Sequence, residues 1–217
     1  MQDTHESAQE IVRVARHLEE QGLNLAASGN VSIRLDEGML ITPSGVEPTR
    51  LAPERLVRVA LDGRVLSAGK PSSEWAMHAA LYRRRSDVGA VVHCHSRFAT
   101  VLACAHHEIP ALHYMVVATG ASRIPLAPYA TFGTEALSDA VVGTLGAGDA
   151  CLLANHGQIA VGRDLAAALA TAELVERLAE THWGALAIGG PRLLEEAEMR
   201  RVADRFAAGY GRADDPA

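Results

Sequence analysis

Two histidines one residue apart close an apolar run in "VVHCHSRFATVL", residues 91–102. Burying an imidazole in such a run is unfavourable unless it gains a partner. Residues i and i+2 of a strand project to the same side, so His93 and His95 lie parallel while Cys94 points the other way. That geometry suits two imidazoles on one ion, although two separately hydrogen-bonded histidines are the plainer reading of the motif alone. A third histidine, His156, follows another apolar run in "LLANHGQIAV", where Gly157 permits a sharp backbone turn. Three neutral imidazoles make a borderline-soft site for zinc or another divalent transition metal, with a position left for a carboxylate, water or substrate. The carboxylate candidate is Glu74 in "PSSEW". His78 lies four residues on and shares its helix face, and spacing leaves open which of the two is a ligand.

Three small polar segments could hold an anion: "SGN" (28–30), "TPSG" (42–45) and "PSS" (71–73). Each offers hydroxyls, amides or backbone N–H groups without bulk, and the last sits at a predicted helix start. None matches a nucleotide-binding glycine pattern, so no nucleotide is expected.

The elements that must position these groups alternate. A helix over 4–21 stops at Gly22. Short strands follow at 31–35 and 39–45, then a hairpin over 56–66 turning at Asp62-Gly63. Pro71 ends the extended chain, and Ser72 is the expected N-cap of a helix reaching about Arg85. A strand at 88–95, a helix over 96–105 and a second apolar run at 109–118 come next. Two strands flank Asn155-His156-Gly157, a long helix runs from about Asp164 to Ile188, and a last helical stretch leads to a frayed tail over about 211–217. This order predicts a single α/β domain over residues 1–217, three-layered α/β/α, with a central mixed, largely antiparallel sheet.

Composition narrows the partners. The 217 residues are 48% apolar and 21% charged, and 20 basic against 26 acidic residues give a net charge of −6. With no basic run, neither nucleic acid nor an anionic membrane is an expected partner. No stretch resembles a signal peptide or a membrane span. Cys94, Cys104 and Cys151 form no CxxC pair and read as buried, reduced residues, which predicts a cytoplasmic location. The other histidines, at 5, 17, 106, 107, 113 and 182, carry no expected special role.

Taken in order, "SGNVSIR", "MLITPSG", "KPSSEWAMH", "AVVHCHS", "IPALHYMVVATG", "IPLAPYATFGT" and "NHGQIAVG" resemble the class II aldolase/adducin family over residues 5–210. The resemblance implies zinc on His93, His95, His156 and Glu74, which favours Glu74 over His78. It also implies a phosphate pocket of Gly29, Asn30, Ser44, Gly45, Ser72 and Ser73. Tyr114 is the implied acid toward an aldehyde oxygen, acting across a subunit interface of a cyclic C4 homotetramer. Tyr210 is an implied substrate contact.

The implied activity is reversible cleavage of a ketose 1-phosphate to dihydroxyacetone phosphate and a small aldehyde, with a sugar phosphate as the small-molecule partner. Such a cleavage leaves negative charge that either a Schiff-base lysine or a Lewis acid must stabilise. The only lysine, Lys70, sits in a polar "AGKP" turn, which favours the metal. Related 4-epimerases need a second acid/base after the HxH strand, yet residues 109–134 hold neither Asp nor Glu. A sugar-acid phosphate decarboxylase is a further alternative on the same scaffold. A non-enzymatic adducin-like domain is the remote one, because the four ligand positions are intact.

Overall fold

The structure, a computed structural model, describes residues 2–209, with side chains described from His5 onward. Tyr210 and the tail at 211–217 lie outside the described residues. Helices α1 (Gln2–Glu20), α2 (Trp75–Arg84), α3 (Arg97–Cys104), α4 (Glu135–Leu145), α5 (Leu165–Ala187) and α6 (Glu196–Ala207) surround a central sheet. Its strands are β1 (Asn30–Leu35), β2 (Gly38–Ile41), β3 (Val57–Val59), β4 (Ala90–Cys94), β5 (Leu126–Ala127), β6 (Ala150–Leu153) and β7 (Gly157–Gly162). They lie in the order β3-β2-β1-β4-β7-β6-β5, and among the described residues only β5 and β6 pair in parallel. The three-layer fold with a mixed, largely antiparallel sheet is therefore the observed one.

Layering follows from alternation. In β4, Ala90, Val92 and Cys94 face the core under α1, α3 and α5, whereas Val91 faces the core under α2 and α4. Every residue of β4 and β6 is buried, as expected for strands covered on both faces. His93 thus faces the α2 side, and Cys94 is a packing residue on the opposite face. At about 25 cal/mol per Å² of apolar area, these double-sided strands supply much of the hydrophobic stabilisation that holds the site rigid.

Several sequence expectations need correction. Helix α2 starts at Trp75 with Glu74 as N-cap, not at Ser72. Ser72 instead accepts from the Glu74 N–H through Oγ at 3.2 Å, so it caps the turn ahead of the helix. The far arm of the 56–66 hairpin is a single bridge, Val59 to Val65, rather than a strand. The apolar run at 109–118 carries a 3-10 helix over Tyr114–Thr119, capped by the His113 side chain accepting from the Met115 N–H. Cys104 is exposed, unlike the buried Cys94 and Cys151, because it ends α3 on the solvent side. Among the described residues, no helix is long and apolar enough to cross a membrane.

Candidate metal centre and active site

His93 lies near the end of β4 and His95 directly follows that strand, while His156 sits in the tight turn between β6 and the adjacent β7. The register pairing His93 with Ile159 and Cys94 with Gln158 brings the two strand ends together. The three imidazoles form a near-symmetric triad, with ring centroids 4.9, 4.8 and 4.9 Å apart and planes crossed at 70°, 72° and 69°. One nitrogen from each ring lies within 4.8 Å of the others. His93 donates from Nδ1 to the Gln158 carbonyl at 2.8 Å, which fixes the ring and turns Nε2 inward. The His95 backbone N–H donates to Asn24 Oδ1 at 3.0 Å.

The turn that aims His156 is shaped by Asn155, whose φ of 54° lies in the left-handed region. Asn155 is held by His106, whose Nε2 meets its Oδ1 at 2.7 Å and whose own φ is 56°. Gly157 matters for a different reason from the one its position suggests. It is not among the positive-φ glycines; a Cβ there would lie 2.6 Å from the Cys94 carbonyl and 2.9 Å from His95 Cδ2. The residue is glycine because β4 passes too close for anything larger.

Glu74, 6% exposed, closes the group from the α2 side. Its Oε2 lies 3.2 Å from His93 Nε2 and its Oε1 3.4 Å from His156 Nε2. Asn30 Nδ2 donates to Oε2 at 2.9 Å, whereas Oε1 is buried without a hydrogen-bond partner among the described residues. An orphaned carboxylate oxygen beside three convergent imidazoles is costly alone and natural around a cation. The donor set fits a divalent metal.

Electrostatics agree. Burial pushes the Glu74 carboxyl up, but the charge and hydrogen bond of His93, then Asn30 and His156, outweigh it and hold Glu74 well below the usual carboxylate range. Burial disfavours charge on His93 too, yet Glu74 and the Gln158 carbonyl raise its pKa above the ordinary value. His95 falls to about 3 and His156 to about 4, first through burial and then through the like charge of His93. Both are neutral near pH 7, as metal-binding imidazoles must be.

A cavity of about 320 Å³ opens beside this group, lined by Gly29, Asn30, Ser44, Gly45, Ser72 and Ser73 as well as Glu74, His95 and His156. Backbone bonds gather its loops: Thr42 donates to the Val31 carbonyl at 3.1 Å, Ser44 to Lys70 at 3.0 Å and Ser72 to Thr42 at 3.0 Å. Gly29 is required here, with φ 72° and no room for a Cβ against the Asn24 amide. Asn30 contributes less freely than its place in the wall suggests, since Nδ2 serves Glu74 and Oδ1 meets His78 Nε2 at 2.6 Å.

Two positions singled out in the sequence join neither the cavity wall nor the donor group. His78 is fully buried behind it and bonds to Asn30 and Ser32, so it is not part of the donor group. Tyr114 is 45% exposed on the surface, stacked on His113 with ring centroids 4.7 Å apart, and is not a wall residue. Conversely, Asn155, Tyr129 and Phe132 line the cavity without having been singled out. The segments "NHGQIAVG" and "IPLAPYATFGT" contain all three, so proximity to a flagged motif was the available signal.

Comparison with known proteins places this geometry. Residues 9–183 match the family model described as Class II Aldolase and Adducin N-terminal domain. The chain is 45% identical over 196 residues to the 5-methylthioribulose-1-phosphate/5-deoxyribulose-1-phosphate aldolase of Rhodospirillum rubrum, spanning 90% of this chain and 89% of that protein. It is 40% identical over 200 residues to the L-fuculose phosphate aldolase of Escherichia coli, spanning 92% and 93% of the two chains. A solved structure of an L-fuculose 1-phosphate aldolase matches with a TM-score of 0.87 and 34% identity, over 93% of this chain and 96% of that one.

Proposed function

This chain belongs to the class II aldolase and adducin family as a metal-dependent aldehyde-lyase, and we propose that its substrate is a ketose 1-phosphate, cleaved reversibly to dihydroxyacetone phosphate and a small aldehyde. The relatives named above act on 5-methylthioribulose 1-phosphate, 5-deoxyribulose 1-phosphate or L-fuculose phosphate, and these share one chemical outline. The observation that carries the proposal is the continuity of the cavity wall. The hydroxyl- and N–H-rich segments at 28–30, 42–45 and 71–73 run directly into Glu74, His95 and His156.

In this reading His93, His95, His156 and Glu74 hold a zinc ion. When bound, the cation supplies Lewis-acid stabilisation of the charge that develops on the ketose oxygens during C3–C4 cleavage. Ser44, Gly45, Ser72 and Ser73, with Gly29 and Asn30, hold the phosphate, and that remote binding orients C3. Glu74 is a ligand only in the resting site; once substrate has taken its place, its carboxylate moves the proton at C3 of dihydroxyacetone phosphate. Tyr114 serves the aldehyde oxygen of a neighbouring subunit in a cyclic homotetramer, for which its exposed position is support. Tyr210 is a further substrate contact, and the enzyme works in the cytoplasm.

The test is a panel of L-fuculose 1-phosphate, 5-methylthioribulose 1-phosphate and 5-deoxyribulose 1-phosphate, assayed for dihydroxyacetone phosphate release with and without chelator. Chelator-sensitive release from at least one is expected. Release from none refutes the substrate class, and chelator-insensitive release refutes the metal role.

A further inference from the structure

Behind the cavity, two elements meet with their side chains in step. On β1, Asn30 and Ser32 share a face; on α2 and its N-cap, Glu74, His78 and Tyr82 share a face. All five are buried. Tyr82 Oη lies 2.7 Å from Ser32 Oγ, Ser32 Oγ 2.7 Å from His78 Nδ1, His78 Nε2 2.6 Å from Asn30 Oδ1, and Asn30 Nδ2 2.9 Å from Glu74 Oε2.

The direction of every bond in this chain follows from its one anionic end. An ionised carboxylate only accepts, so Asn30 must turn its NH₂ to Glu74 and its carbonyl to His78. His78 must then carry its proton on Nε2. Full burial keeps the ring neutral, its pKa lowered to about 3 by desolvation first and the charge of His93 second. Its Nδ1 is therefore an acceptor, Ser32 must donate to it, and the Ser32 oxygen accepts from Tyr82. Four donors, Tyr82, Ser32, His78 and Asn30, point their hydrogens the same way, toward Glu74, and such a chain polarises each member.

Its effect is to make the two oxygens of Glu74 unequal. Oε2 is anchored by Asn30, whereas Oε1 has no hydrogen-bond partner. We infer that His78, with Ser32 and Tyr82 behind it, is a positioning residue that locks the Asn30 amide and so assigns Oε1 of Glu74 as the oxygen that exchanges the C3 proton. In the exchange the C3–H bond breaks, the proton passes to Oε1, and the electron pair stays on the substrate as an enediolate; the reverse restores both. The inference rests on the proposed role of Glu74 and concerns which oxygen acts and what holds it.

Exchange of the C3 hydrogen of dihydroxyacetone phosphate with D₂O, followed by NMR without aldehyde, isolates this step from carbon–carbon cleavage. No exchange by the wild-type, metal-loaded enzyme refutes the proposed role of Glu74 itself. Given wild-type exchange, Ser32→Ala should slow it about tenfold at saturating metal, within the range usual for partners behind a reactive group. His78→Gln, which keeps a donor toward Asn30, should recover most of the rate. Equal rates in wild type and Ser32→Ala overturn the inference, as does a His78→Gln variant as slow as Ser32→Ala. Should Ser32→Ala not fold, Tyr82→Phe decides instead, with a drop of about threefold expected and an unchanged rate overturning it. Independently of activity, ¹⁵N shifts of the metal-free wild type should show His78 as the neutral Nε2–H tautomer; the Nδ1–H form or a charged ring overturns the inference.

Discussion

Replacing Gly157 by alanine should damage the metal centre through sterics alone. The added Cβ would meet the Cys94 carbonyl oxygen at 2.6 Å and His95 Cδ2 at 2.9 Å, where ordinary contact begins at 3.4 Å. The shortfalls are about 0.8 Å and about 0.5 Å. The carbonyl belongs to β4, which is buried on both faces and cannot swing aside. Relief must come from moving the end of that strand, and His95 is the next residue along. Overpacking of this kind costs about 1–3 kcal/mol, which in a chain of this size lowers Tm by roughly 2–12 °C. Metal sites tolerate ligand displacements of about 0.2 Å, so a shift of several tenths should weaken metal binding about 10- to 100-fold. Titrating the metal-free variant with Co²⁺ and following its visible bands reads the affinity, and calorimetry reads Tm. Gly143→Ala is the control: that glycine lies inside α4 with nothing within 4 Å, so the change should be neutral or stabilising by up to about 1 kcal/mol. A Gly157→Ala protein that binds Co²⁺ as tightly as wild type would refute the steric account of this glycine.

Metal affinity should depend on pH with the stoichiometry of one proton. His95 at about 3 and His156 at about 4 are already neutral above pH 5, leaving only His93, with its raised pKa, to release a proton on binding. The logarithm of affinity should therefore rise by about one per pH unit from pH 5 to 6, and a slope near three would contradict the assignment. His78 should make the metal-free protein acid-sensitive. Its folded pKa of about 3 lies below the ordinary imidazole value of 6.5, so the unfolded chain takes up the proton first. This contribution is fully present above pH 6.5 and is lost as pH falls toward 3, at up to about 1.4 kcal/mol per pH unit. Melting curves of His78→Gln across pH 4.5–7.5 should be flatter than wild type by that slope, and parallel curves would count against it. Finally, His106→Gly removes a non-glycine φ of 56° together with the bond to Asn155. Its Tm should not fall, while Co²⁺ affinity drops several-fold as the turn carrying His156 loosens; unchanged affinity would show that the turn needs no such clamp.

Much of the site was legible because strand periodicity is local. The parallel projection of His93 and His95, with Cys94 behind, needed only the alternation of β4, and the long α5 needed only its N-cap Asp164 and helical spacing. Glu74 against His78 was undecidable for a physical reason. Both stand on one face of α2, and what separates them is depth: Glu74 reaches the cavity, whereas His78 is held behind it by Asn30 and Ser32. No property of α2 alone encodes that depth, because β1 supplies the partners. The reason given for Gly157 failed similarly. A turn beside a glycine suggested a φ requirement, yet Asn155 takes the left-handed conformation and Gly157 answers to a neighbouring strand. Tertiary proximity, not local propensity, wrote those residues.

The meeting of β1 with α2 explains how the buried chain of hydrogen bonds can exist. Two residues along a strand advance about 6.7 Å, and four along a helix advance about 6 Å. Every second strand residue can therefore find every fourth helix residue with a drift of about 0.7 Å per step. Over Asn30 and Ser32 against Glu74, His78 and Tyr82 the drift is small enough for side-chain contacts at 2.6–2.9 Å. At the next step the side-chain match gives way to another kind of contact. Arg34 lies over the Tyr82 ring at 4.7 Å and donates to the carbonyls of Tyr82, Arg85 and Val88. The guanidinium thereby closes the far end of the ladder by gripping the helix backbone. With α2 pinned there and Asn30 paired in register with His93 at the other end, Glu74 has little freedom to leave the imidazoles except through Oε1. Rigidity of the carboxylate and inequality of its oxygens then have one source, the near-equality of two backbone repeats.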